Sequence, residues 1–302
     1  MTKINFPYLG TIYTPILKNF FENLGCEVIL PPKSTIKTIQ KGSEVSPKLM
    51  CVPFKWNTGN YIESLEKHKD LTLVQYHSCG SCKFHTYYLT QTTILKELGY
   101  KFKGIYPVKA KSILIDLNKI TKANYFKIIN SARKTLKEIK HAEKEHFKSE
   151  GDIKIGVIGE IFTILNSDCN LNLFRKLKER NCYVETKLLL SNFIKEAIFR
   201  KKTFNKEIRA KAKKLFPEKL GGHGFFSIES MLYFIKMNFD GVVFVRPLSC
   251  SSEIAVEPII NSLKKEHKMP LLTLNFDETT SEINLDNRIE AFVETIKMKN
   301  EN

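Results

Sequence analysis

The chain contains no apolar run near the roughly 20 residues needed to span a bilayer. Its opening residues, Met1 to Leu9, lack the charged-then-apolar pattern and small-residue cleavage site of a secretion signal. The expectation is therefore a cytoplasmic protein with no membrane association. Arginine is scarce: only seven of the 48 basic residues are Arg, leaving 41 Lys. The formal charge of +16 would otherwise suggest nucleic-acid binding. Base and phosphate recognition, however, favours the planar Arg fork, so no nucleic-acid partner is expected. The densest basic stretch, 195–219, carries ten positive and three negative side chains. It reads as a solvated helical face with Phe199, Phe204 and Phe216 turned to the core, or as a dock for an acidic partner or phosphates. No Gly-x4-Gly-Lys-Ser/Thr loop occurs, and Gly156-x-x-Gly159 is too short to be a dinucleotide fingerprint. Any ATP would have to be hydrolysed by another protein.

What remains is the composition of a folded protein, with 42% hydrophobic and 26% charged residues. A chain of 302 residues accommodates two α/β domains. Short apolar runs at Ile4–Tyr8, Glu27–Leu30, Leu71–Tyr76 and Phe102–Tyr106 alternate with helix-like stretches at Thr11–Leu24, Thr58–His68 and Phe84–Leu98. The alternation resumes with strands predicted at Ile153–Ile158, Tyr183–Leu188, Gly241–Val245 and Leu271–Phe276. Helices are predicted between and after them at Leu171–Arg180, Ser191–Arg200, Ser227–Met237 and Ile254–His267. Such alternation predicts doubly wound, mostly parallel sheets. The expected organisation is an N-terminal domain over 1–123, a Lys- and Glu-rich helical connector over 124–150, and a C-terminal domain over 151–302.

Seven cysteines without a secretion signal point to metal or redox chemistry rather than a disulfide frame. Cys79-Gly80-Ser81-Cys82 follows one predicted strand and precedes a helix. Cys250 follows another strand in Arg246-Pro247-Leu248-Ser249-Cys250, and Cys51 precedes a helix across a Pro-bearing loop. Helix N-terminal amides favour a thiolate or an anionic cluster at such positions. Four thiolates suit tetrahedral zinc or a [4Fe–4S] cluster, and spacing alone does not choose between them. A thioredoxin-like dithiol at Cys79 and Cys82 is the other alternative, one that leaves Cys51 and Cys250 without a role. Cys26, Cys169 and Cys182 read as small buried hydrophobes.

Several motifs occur in order: Cys51-Val52-Pro53-Phe54-Lys55, Gly59-Asn60-Tyr61-Ile62-Glu63, Cys79-Gly80-Ser81-Cys82-Lys83-Phe84, Gly221-Gly222-His223-Gly224, Arg246 to Ile254, and Leu272 to Thr279. Together they resemble the small proteins related to 2-hydroxyacyl-CoA dehydratase subunits and to the C-terminal part of large acyl-CoA dehydratase activase-related proteins. The resemblance implies an iron–sulfur protein of anaerobic metabolism with two Rossmann-like domains facing an interdomain cleft. It also implies a low-potential electron delivered by an ATP-hydrolysing activase. Carried over by position, Cys51, Cys79, Cys82 and Cys250 would bind the cofactor. A single [4Fe–4S] cluster is favoured, because a double-cubane cluster would need more thiolates. Ser81, Lys83 and Ser249 depart from the frequent Pro, Arg and Gly of such relatives, but none of these changes removes a thiol.

Two side chains are catalytic candidates. His223, among three glycines, is either part of a flexible turn or a proton donor. Glu253 either caps the helix after Cys250 or acts as an acid/base group. Asp277 and Glu278 read as turn residues. Two function classes stay open. One is a reductase or dehydratase-like component acting on a CoA ester or other small molecule. The other is a non-enzymatic electron carrier or accessory protein, for which four cysteines closing every iron are natural. Dimer formation is compatible with both.

Overall fold

A computed structural model describes residues 1–78, 80–218 and 221–301, with side chains described as far as Lys299. The chain divides into two compact units. The first comprises Met1–Cys79, Lys83–Glu143 and Ile194–Arg200, and the second Gly80–Cys82, Lys144–Phe193 and Lys201–Asn302.

In the first unit the order is β1 (Lys3–Asn5), α1 (Gly10–Asn23), β2 (Glu27–Val28), α2 (Ile36–Val45), α3 (Val52–Leu65) and β3 (Thr72–His77). A 3₁₀ turn at Lys83–His85 follows, then α4 (Tyr87–Glu97), β4 (Gly104–Lys109), α5 (Ile113–Thr121) and most of α6 (Tyr125–Phe147). The strands pair in the order β2-β1-β3-β4, all parallel. Parallel neighbours need crossover connections, and these helices supply them on both faces. Phe6, Phe21, Val74, Leu117 and Ile128 pack on one side of the sheet, and Tyr61, Leu65, Leu73, Leu95 and Ile105 on the other.

The second unit contains β5 (Ile153–Gly159), α7 (Ile161–Leu165), α8 (Leu173–Lys178), β6 (Cys182–Thr186) and the start of α9 (Leu190–Phe199). It continues with α10 (Lys206–Leu215), α11 (Gly224–Lys236), β7 (Gly241–Pro247), α12 (Ser251–Glu266), β8 (Leu271–Phe276) and α13 (Glu282–Glu301). Its strand order is β6-β5-β7-β8, again all parallel. All residues of β7 are buried, as expected for a central strand covered on both faces. One face carries Leu173, Val184, Leu274, Ile289 and Val293, the other Ile208, Met231, Phe234, Val256 and Ile260.

Both units are thus parallel α/β folds of the doubly wound kind, as the strand–helix alternation predicts. In each, the first strand lies between the second and the third, so the crossovers leave in opposite directions. Such a switch point is where ligands gather at strand carboxyl ends. Helices α2, α5, α7 and α13 add to those expected from the sequence. The basic stretch is two helices rather than one, broken at Arg200 (φ 53°) and restarted by Asn205, whose side chain caps the Ile208 amide at 3.0 Å. Phe204 is buried and Phe216 half-buried in the second-unit core, while Phe199 is of intermediate exposure. Among the described residues, no helix is long and apolar enough to cross a membrane.

Candidate functional site

Cys51 is the N-cap residue of α3, in extended conformation (φ −72°, ψ 156°), with Pro53 in the first turn, where its missing N–H costs nothing. The thiol is buried against the Tyr87 hydroxyl, and Phe54 meets the Tyr87 ring edge-on at 4.9 Å. Helix α3 is held rigidly because it packs backbone to backbone on α2. A Cβ at Gly42 would collide with the Lys55 carbonyl, and one at Gly59 with the Thr38 carbonyl. The rest of the Gly59–Glu63 motif is scaffolding too. Asn60 accepts from the Tyr8 amide (3.0 Å) and donates to Ser34 (3.0 Å). Tyr61 donates to the Val74 carbonyl (3.1 Å), and Glu63 accepts from Thr38 (2.9 Å).

Cys79 lies outside the described residues. Cys82 groups with the second unit, partly exposed. There the Ser251 hydroxyl donates to the Ser81 carbonyl at 2.8 Å, so this segment lies against the N-terminus of α12. Gly222, at φ +75°, faces it: a Cβ there would stand 3.2 Å from the Cys82 Cβ and would overlap Ser252. Cys250 is the N-cap residue of α12, buried, with its amide bonded to the Pro247 carbonyl at 3.1 Å. The second unit therefore gathers Cys82, the Gly221–Gly222 turn and the helix start at Cys250, whereas Cys51 belongs to the first unit. Among the described residues, no three His, Cys, Asp or Glu side chains converge as a metal-ligand group.

The two catalytic candidates belong to one hydrogen-bonded seam between α11 and α12. Glu253 is fully buried and bonds no helix-start amide; its Oε2 accepts from Ser227 at 2.7 Å, and its Oε1 has no hydrogen-bond partner among the described residues. Burial, above all, pushes its pKa up to about 8, with the nearby Glu160 adding to the effect. At neutral pH the carboxyl is largely protonated. Ser227 also reaches the His223 carbonyl at 3.4 Å, and Ser252 donates to the Gly221 carbonyl at 2.7 Å. His223 is the N-cap residue of α11, makes no side-chain cap, and meets the Phe193 ring edge-on at 6.0 Å. Its surface is of intermediate exposure, yet dense surroundings lower its pKa to about 4, so the imidazole is neutral.

The remaining cysteines behave as packing residues. Cys26 and Cys182 sit in cores, and burial raises both thiols, Cys182 to about 11. Cys182 begins β6. Cys169 is also buried, with its pKa raised well above the ordinary thiol value, chiefly by desolvation. Asp277 forms a loop cap, accepting from the Thr279 amide at 2.8 Å, as a turn residue should. Arg246 is structural as well: it pairs with Glu257 at 3.0 Å and donates to Asn275 at 2.8 Å.

Sequence reasoning missed two features. His77 and His85 flank the Cys79–Cys82 pair in chain, and their rings meet at 4.6 Å. Burial first, then the His85 and Lys109 charges, lower the His77 pKa. The His-x-Cys-x-x-Cys-x-x-His spacing was a visible signal. Glu160 was not signalled. It caps α7 through the Phe162 and Thr163 amides, both at 2.9 Å, and burial raises its pKa.

No curated protein matches the chain. Among solved structures, the crystal structure of an ABC transporter substrate-binding protein from Listeria monocytogenes EGD-e aligns over 97% of each chain, at 8% identity and a TM-score of 0.27. Residues 9–76, from just before α1 into β3 and including Cys51, match the family described as CoA enzyme activase uncharacterised domain (DUF2229).

Proposed function

We propose that this protein holds one [4Fe–4S] cluster on Cys51, Cys79, Cys82 and Cys250 and takes a low-potential electron from an ATP-hydrolysing activase in the cytoplasm. It would then serve as a reductase or dehydratase-like component for a CoA ester or other small molecule. The observation that carries this reading is the placement of Cys51 and Cys250 as N-cap residues of α3 and α12, where helix amides favour thiolate charge. Cys82 beside the start of α12 and the CoA enzyme activase match over residues 9–76 agree with it. When bound, such a cluster supplies one-electron chemistry at low potential. The chain's own contribution is to hold the Cys51 and Cys250 thiols at helix starts. It also keeps a protonated carboxyl, Glu253, oriented by Ser227 between α11 and α12.

A non-enzymatic electron carrier is the second reading, favoured by a cysteine count that would leave no iron open. Anaerobic purification followed by iron, sulfide and zinc analysis tests the cofactor. About four irons and four sulfides per chain, with broad visible absorbance lost in the Cys250→Ser variant, are expected. Stoichiometric zinc with a colourless protein would overturn the cluster. Substrate-dependent ATP turnover with a matched activase separates the enzyme from the carrier.

A further inference from the structure

The second unit carries a groove away from the cysteine-bearing loops. It has a volume of about 620 Å³ and runs along the start of β8, between the C-terminal end of α12 and the middle of α13. Its floor is apolar, with Met269, Leu271 and Phe292, and its rim carries Lys264, Lys265, Lys268 and Arg288. Leu271 begins β8, so the groove opens at the amino ends of the strands, opposite the loops that follow β7.

Two observations indicate what the groove accepts. The first is charge. Some lysines of this unit meet carboxylates, as Lys176 does with Glu282 and Asp286, Lys187 with Glu185 and Lys297 with Glu294. No carboxylate lines the groove, and among the described residues Lys264, Lys265 and Lys268 have no ion-pair partner. Clustered like charges repel unless an anion is seated among them.

The second observation is the strand edge. Among the described residues, β8 pairs only with β7. The Pro270 and Phe276 carbonyls accept from Val242 and Leu248, so even-numbered residues turn their backbone groups to β7. The alternate residues Leu271 and Thr273 turn theirs outward. Arg288 closes the Thr273 carbonyl at 2.6 Å, leaving Leu271 at the groove floor as the strand's open stretch.

We propose that this groove docks a short, extended, acidic segment of a partner protein, with an apolar side chain on Leu271 and Phe292 and carboxylates on the three lysines. Arg288 limits its length by blocking strand addition beyond Leu271. A free phosphate compound would use the lysines but not the apolar floor, which makes the two separable by experiment.

The test is fluorescence anisotropy of the full chain with a labelled peptide of alternating glutamate and leucine. Expected is saturable, salt-sensitive binding, weakened about tenfold or more by Lys265→Glu with Lys268→Glu. It should be unchanged by Lys211→Glu with Lys213→Glu on α10, which removes equal charge from another exposed face. A glutamate–serine peptide should bind far more weakly. The proposal fails if both double variants weaken binding equally, if the serine peptide binds as well as the leucine one, or if only inorganic phosphate binds in a groove-dependent way. All four substituted lysines are exposed, and circular dichroism of each variant verifies that the fold is retained.

Discussion

The two units repeat one topology and fill it differently. In each, a helix precedes the third strand and a thiol-bearing segment follows that strand in the chain: Cys82 after β3, itself grouping with the second unit, and Cys250 after β7. The helix before the third strand starts at Cys51 in the first unit and at His223 in the second. Its support also differs. α3 is fixed by direct backbone contact with α2 at Gly42 and Gly59, whereas the start of α11 is fixed by polar bonds to α12 through Ser227–Glu253 and Gly221–Ser252. Equivalent positions in a doubly wound fold thus set where reactive groups emerge, while the local contacts set how firmly and in what protonation state they are held.

The sharpest way to break this comparison is at the glycine contact. Gly59→Val should destabilise the first unit by more than about 4 kcal/mol, because its Cβ meets a carbonyl that cannot move without shifting α2. Hydrogen exchange should then show α3 amides losing protection while those of α11 keep it. Equal loss in both helices would show that the units do not open separately.

The polar seam should respond to pH instead. In the folded chain Glu253 titrates near 8 rather than at the ordinary 4.5. Below pH 4.5 the group is protonated in both states and adds no pH dependence. As pH rises from about 4.5 to 8 the unfolded chain ionises first, so stability falls, and above 8 the loss is complete. Glu253→Gln should therefore raise the melting temperature at pH 9, corresponding to roughly 2–4 kcal/mol, and change it little at pH 4. A gain of the same size at both pH values would mean that the carboxyl is not protonated by its surroundings.

Two smaller effects separate packing thiols from candidate ligand thiols. In metal-free protein, Cys182→Ser should cost about 1–3 kcal/mol, because it puts a hydroxyl in a fully buried core position, while Cys82→Ser should cost under about 0.5 kcal/mol. Chemical denaturation measures both, and the reverse order would reassign Cys82 as a core residue. A further small effect is Asp277→Ala, expected to cost about 0.5–1 kcal/mol through lost loop bonds at the end of β8, read as a small shift in denaturation midpoint.

Particular elements show what a linear reading can and cannot reach. β8 was predicted with its observed bounds because an apolar run between turn residues is a local signal. α2 was missed because Gly42 and Ser43 are weak helix formers, and its propensity is overridden by packing on α3. α5 was missed because Ile113-Leu114-Ile115 carries a strand-like run within a short helix. The role of Gly59 was equally hidden, since the residue it must not touch, Thr38, lies in another helix.

The sequence alone determined the alternation of strands and helices, the parallel sheets that follow from it, and the positions of Cys51 and Cys250 at helix starts, because each depends on neighbours a few residues away. The tertiary structure decided the rest. The Ser227–Glu253 bond joins residues 26 apart, and the Lys264–Arg288 groove is assembled from two helices and an edge strand. A buried carboxyl arises only when long-range packing removes water, and Lys264, Lys265 and Lys268, neighbours in sequence, rim a groove only where α13 brings Phe292 and Arg288 beside them.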